Sequence, residues 1–349
     1  MDCSGWVDDF LAYQRGEKAA SAATIDSYQR TLRDFAAFSA GLDEGMAWDI
    51  VDEGVVRRWI VVQMEAGISV AYVRTRLSAL RSFYRYLMLV RRIAKNPMVR
   101  VIAPKAAKPL PKFFRDDDIN RLLDRLKRLA HSMPDSVEAT DTVEEDKALT
   151  QIIGDDAFGR SRAYLIILLL YMTGMRASEM TGLDVGDVDL RQMQVKVTGK
   201  RDKQRIIPID KEVADAVREY LPLRERELGR CALMGRGPQE QEPDTDAPRR
   251  SGKIEDASGA LILARHGQRL DSRNLSTLVR KITGTVTTQK KRSPHVFRHT
   301  FATSMINNGS DLNSVKELLG HASLATTEVY THTNFEELKR IYDNSHPRG

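Results

Sequence analysis

A helix start at Ser293-Pro294 and a helix stop at Gly320 bracket the stretch that most constrains this chain. Pro294 suits a first helical turn because its missing N–H would be unpaired there anyway, and Ser293 is a residue type that caps such a turn. His295 and Arg298, three residues apart, then leave that helix on one face. A second helix is expected from Asp311 to Leu319, ended by Gly320, which tolerates the left-handed geometry of a stop. His321 follows the stop, and Tyr330 lies nine residues further on. Two imidazoles, a guanidinium and a phenol are thereby gathered near helix ends.

That set suits a phosphodiester. Arginine matches two non-bridging oxygens with a planar fork and keeps its charge. Imidazoles can donate to the same oxygens or move protons near neutral pH. A tyrosine, with a free pKa of roughly 10, needs neighbouring cations or a base before it acts as a nucleophile. Further cations lie upstream. Thr173-Gly-Met-Arg-Ala-Ser-Glu179 follows an apolar run and sets Arg176 just past a glycine break. Glu179, three residues on, is suited to orient that arginine. Residues 195–209 read as two short strands joined by a polar turn, with Lys200 at the turn.

The first hundred residues read as helices. Ile25, Tyr28, Leu32, Phe35 and Phe38 recur at helical spacing, as do Val56, Trp59, Ile60 and Met64. On the next helix Arg74, Arg81, Arg85 and Arg92 fall within about 40° of one another at 100° per residue. No acid occurs from Ala66 to Arg115, in a chain with 48 acids and a net charge of +6. We read these four arginines as a phosphate-tracking surface, the alternative being a solvated basic face. Proline-spaced, basic residues 105–115 form the expected linker between a domain at 1–104 and one at 116–349. Polar stretches near 132–156 and 235–258 read as surface-loop insertions without chemistry. Two scattered cysteines exclude a disulfide framework, and no apolar run approaches the roughly 20 residues of a membrane span. A cytoplasmic protein is expected.

Arg176, Lys200, His295-x-x-Arg298, Leu-Gly-His321 and Tyr330, in that order, resemble the tyrosine site-specific recombinases of the phage-integrase family. The closing run from Tyr330 to Tyr342 resembles the Xer-like chromosome-dimer resolvases among them. The resemblance implies a mainly α fold, with a helical, SAM-like core-binding domain before an α-rich catalytic domain holding a small antiparallel β-sheet. It implies that Tyr330 attacks a DNA phosphate and is left bonded to the 3′ end. Arg176 and Arg298 would hold the non-bridging oxygens, Lys200 would protonate the 5′ oxygen, His295 would take the tyrosine proton, and His321 would donate to the phosphate. No cofactor, metal or ATP is implied. The implied partners are duplex DNA with a specific recombination site, three further protomers of this chain or of a paralogue on two such sites, and a translocase of the FtsK kind. An integrase of a mobile element and a catalytically silent DNA-binding relative are the other readings.

Three details are weighed separately. His295 and His299 have the four-residue spacing of a zinc helix, but Val296 stands where such helices carry glutamate, and no third ligand is spaced for them. His299 is instead expected to be packed or hydrogen-bonded. Phe297 stands where the family has leucine, and should face the core. Beyond Tyr330, the resemblance implies that Phe335, Leu338, Ile341 and Tyr342 dock on a neighbouring protomer, with burial in their own domain as the alternative.

Overall fold

The computed structural model describes residues 4–42, 47–105, 113–132, 143–199, 203–234, 259–289, 291–320, 332–346 and 348, the side chains of 143–145 and 332–338 excepted. Two units are separated by their contacts, Met1–Pro109 on one side and Leu110–Thr245 with Ser251–Gly349 on the other.

The first unit holds α1 (Ser4–Gly16), α2 (Ala22–Ala40), α3 (Glu53–Glu65) and α4 (Val70–Leu89). Three of these starts are capped by side chains, the amides of Thr24, Val55 and Tyr72 donating to Ser21, Asp52 and Ser69. Apolar residues at helical spacing meet in an aromatic core. Phe35 stacks on Trp48 and meets Trp59 edge-on, and Trp48 meets Phe83 edge-on at 4.8 Å.

In the second unit α7 (Ala157–Thr173) is buried on every side, as a helix with no polar stripe must be. Packed against it are α5 (Asp116–His131), α6 (Val143–Ile153), α9 (Lys211–Leu233) and α11 (Pro294–Asn307). The short α8 (Ala177–Thr181) follows it and leads to an antiparallel sheet of β1 (Val188–Asp189), β2 (Gln194–Thr198) and β3 (Gln204–Pro208) in sequential order. Val195 faces Ile207 across β2 and β3, and Val197 faces Arg205. The remaining helices are α10 (Ser272–Thr283), α12 (Leu312–Leu319) and α13 (His332–Ser345). Among the described residues no helix is long and apolar enough to cross a membrane.

Two expectations are corrected here. Within the first polar stretch α6 is a built element, since Leu149 and Ile153 are fully buried and Arg125 pairs with Asp146 at 3.0 Å. Residues 260–263 are buried and make isolated bridges, Asp184 to Ala260 and Leu263 to Arg269. Pro294 opens α11 as expected, but the Ser293 side chain makes no capping hydrogen bond. In this single chain the C-terminal helix packs on its own unit at Tyr342, and the side chains of Phe335 and Leu338 lie outside the described residues. Tyr342 is fully buried and stacks on His346 at 5.2 Å, and His346 also meets the rings of Tyr171 and Phe301. His346 Nε2 donates to the Tyr171 carbonyl, its Nδ1 accepts from the Arg348 amide, and Arg348 pairs with Asp124 at 2.9 Å. Burial, with Arg348 adding to it, pushes the His346 imidazole down to about 4, so the ring packs as a neutral group.

Candidate active site

Two left-handed glycines prepare the site. Gly174, at φ 57°, ends α7, and Gly320, at φ 64°, ends α12. Neither tolerates a side chain. A Cβ on Gly174 would lie 2.8 Å from the Phe301 ring, and one on Gly320 would lie 3.0 Å from Arg205 Cδ. The turn at Gly174 delivers Arg176 to the head of α8, where its amide donates to Glu179 Oε2 at 2.8 Å and its Nη1 to Oε1 at 2.6 Å.

Glu179 is the hub. Its carboxylate also accepts from Arg205 Nη1 at 2.9 Å and Nη2 at 2.8 Å, a two-point fork. Arg205 Nε then donates to the Leu318 carbonyl at 2.9 Å. Arg298, from the middle of α11, donates Nη1 to the Gly174 carbonyl at 3.0 Å and Nη2 to the Leu319 carbonyl. The last carbonyls of α7 and α12, which carry the negative ends of those helices, are thus met by guanidiniums.

Burial alone would raise the Glu179 carboxyl, but hydrogen bonds and charge from Arg205, joined by Arg176, outweigh it and hold it down to about 2. Arg298 moves the other way for a cation. Burial first, then repulsion from Arg176 and Arg205, brings it down to about 10, which still leaves it charged at neutral pH. Three guanidiniums around one carboxylate leave two positive charges in excess. The side chain of Arg176 is 35% exposed against 1% for Glu179, so the outer guanidinium can reach an anion while the inner pair fixes its base. Guanidiniums fixed in this way can hold an oxyanion without rearranging.

Of the expected site residues, Arg176 and Arg298 come together here. His295 stands one turn before Arg298 on α11 and is exposed. His299, expected to be packed or hydrogen-bonded, is exposed too and so is not packed. Phe297 is fully buried against Phe114, with ring centroids 4.9 Å apart. Lys200, His321 and Tyr330 lie outside the described residues. Among the described residues no group of three or more His, Cys, Asp or Glu could hold a metal ion.

Arg205 escaped the sequence reading, although a signal was present. It lies in phase with Ile207 on β3 and opposite Val197, on the buried face of a strand. An arginine in an inward position demands a buried acid.

The expected phosphate surface is divided, and α4 ends at Leu89, so Arg92 lies beyond the helix that was expected to carry it. Arg92 pairs with Asp9 at 2.7 Å and lies over the Trp6 ring. Arg81 donates to the Val101 carbonyl at 2.8 Å, and the exposed Arg74 donates to the Pro104 carbonyl at 3.1 Å. Arg85 is exposed. Arg76, off the stripe, is buried between Gln63, Asp34 and the Trp59 ring.

Residues 142–337 match the Phage integrase family, and residues 7–90 match the Phage integrase, N-terminal SAM-like domain. The chain is 35% identical to Tyrosine recombinase XerC of Pelotomaculum thermopropionicum over 347 residues, covering 98% of each. It is 33% identical over 344 residues to Tyrosine recombinase XerC of Escherichia coli O139:H28, covering 98% of this chain and 96% of that one. Its fold is similar to that of XerH site-specific recombinase bound to a palindromic difH substrate in a post-cleavage complex. There the TM-score is 0.60 at 20% identity, over 96% of this chain and 93% of that one.

Proposed function

The chain belongs to the phage integrase family of tyrosine recombinases, enzymes that break and rejoin DNA, and from that premise we propose that Tyr330 is its nucleophile at a specific DNA site. The tyrosine oxygen bonds to the scissile phosphorus as the bond from phosphorus to the 5′ oxygen breaks. His295 accepts the phenolic proton, and Lys200 gives one to the departing 5′ oxygen. Arg176 and Arg298 hold the non-bridging oxygens while charge builds, with His321 donating to the same phosphate. A 5′ hydroxyl from the partner strand reverses the step, and the phosphotyrosyl bond keeps the energy that rejoining needs.

The observation that carries this reading is the hold of Arg176 and Arg205 on Glu179, with Arg176 partly exposed and Arg298 on the carbonyls of Gly174 and Leu319 within reach of the same charges. The similarity to XerC relatives over nearly the whole chain supports a role in resolving chromosome dimers at cell division. In that role protomers of this chain, alone or with a paralogue, assemble as four on two DNA sites under control of an FtsK-type translocase. The N-terminal helical unit at 1–104 binds the core DNA, and 116–349 catalyses.

A duplex selected by the purified protein from random-sequence DNA, nicked so that the cut fragment diffuses away, tests the reading. Wild type should accumulate a covalent adduct, and Tyr330→Phe should bind equally and form none. Adducts in that variant would assign the attack to another residue.

A further inference from the structure

Arg205 joins three pieces of chain that sequence keeps far apart. It grows from β3, five residues after Lys200 in the sequence. Its fork holds both oxygens of Glu179, which in turn hold the amide and guanidinium of Arg176. Its Nε holds the Leu318 carbonyl, in the last turn before Gly320 and His321. A Cβ on Gly320 would crowd Arg205, at 3.0 Å from its Cδ. A lysine there could supply charge but not three directed donors. Arg205 itself is 6% exposed, so it is walled off from any bound DNA by the groups it holds.

We propose that Arg205 is a positioning residue for strand cleavage, aiming Arg176 at the scissile phosphate through the carboxylate of Glu179 and fixing the end of α12 on the same guanidinium. The proposal rests on the reading that Arg176 holds that phosphate. A guanidinium displaced by about 1 Å costs on the order of 100-fold in rate. DNA affinity, set by many other contacts, should hardly change.

The test compares Arg205→Met, Arg205→Lys and Arg176→Ala for binding and adduct formation on the selected nicked duplex. Each is measured with an ordinary scissile phosphate and with a neutral methylphosphonate in its place. On the ordinary phosphate Arg205→Met should form adducts about 100-fold more slowly than wild type at unchanged affinity. On the methylphosphonate, which has no negative charge for Arg176 to neutralise, its rate should approach that of wild type. In an Arg176→Ala background, Arg205→Met should slow cleavage no further. Equal defects on both substrates, additive defects in the double variant, or no defect at all would each overturn the proposal. Should Arg205→Met unfold, Arg205→Lys carries the same comparison, with a smaller defect and the same dependence on phosphate charge. Arg176→Ala cleaving at the wild-type rate would instead sink the assignment of Arg176, which separates the two failures.

Discussion

Both units of this molecule carry a set of arginines, and the two sets are used in opposite ways. In the C-terminal unit Arg176, Arg205 and Arg298 come from three separate elements, the first two meeting on one buried carboxylate and the third on the helix-end carbonyls beside it. In the N-terminal unit Arg74, Arg81 and Arg85 share a face of α4 and Arg92 lies just past its end, and the four diverge in partner. Two bind carbonyls, one binds Asp9, and Arg85 stays exposed. Periodicity places guanidiniums on a face, but what they serve depends on which acceptors lie within reach. Convergence needs long-range contacts. A stripe needs only a helix.

The largest expected effect comes from removing the acceptor on each side. Glu179→Ala leaves buried guanidiniums without their counter-charge, so stability should fall by about 3–5 kcal/mol and adduct formation should be lost. Asp9→Asn removes the partner of Arg92 in a half-exposed pair, and should cost at most about 1 kcal/mol. Denaturant unfolding of both variants measures the contrast. Similar losses would mean that the two arginine sets are not different in kind.

Acid should sharpen the difference. The Glu179 carboxyl is held at about 2 in the folded protein, against 4.5 for an unperturbed group. The folded protein therefore binds this proton less readily than the unfolded chain. The resulting stability, on the order of 3 kcal/mol, is fully present above about pH 4.5 and is lost as pH falls toward about 2. Glu179→Gln has no such proton to take up. The stability gap between wild type and this variant should shrink across that window, and a gap independent of pH would show that the carboxylate charge is not what the arginines require.

How much of this was legible follows from the range of each interaction. Pro294, Gly174 and Gly320 announce turns through their own backbone chemistry, and the structure has helix boundaries at all three. The pair of Arg176 and Glu179 is local, three residues apart, and was readable. The bond from Arg205 to Leu318 spans 113 residues, and no periodicity reports a contact of that range. α6 was missed for a different reason. Its buried side chains are few and sit among acids, so composition outweighed the short apolar face. The apolar spacing of the tail shows that something must cover it and says nothing about which copy does so, and only the family resemblance pointed to a neighbour.

The stripe itself gives the next effect. Arg81 is half-buried and its hydrogen bond to the Val101 carbonyl braces the segment after α4. Arg81→Met should therefore lower the stability of the N-terminal unit by about 1–2 kcal/mol. A loss of DNA affinity without a loss of stability would return Arg81 to the phosphate surface that its spacing suggested.

Arg85 should show the smallest effect on the fold. It is exposed, while its neighbours on the stripe are committed to internal acceptors, so replacing it removes charge and little else. If it meets a DNA phosphate, Arg85→Gln should lower the slope of log affinity against log salt by about 0.9 and weaken binding to all sequences alike. Stability should stay within about 0.5 kcal/mol of wild type, as for a surface substitution away from caps and core. Arg92→Gln is the control, because its guanidinium is already held by Asp9 and Trp6 and should leave the slope nearly unchanged. Equal slope changes in the two variants would show that the Asp9 pair opens on DNA, and the stripe would then act as one surface after all. No slope change in either would leave α4 as a solvated face, with the phosphate chemistry of this chain confined to the cluster around Glu179.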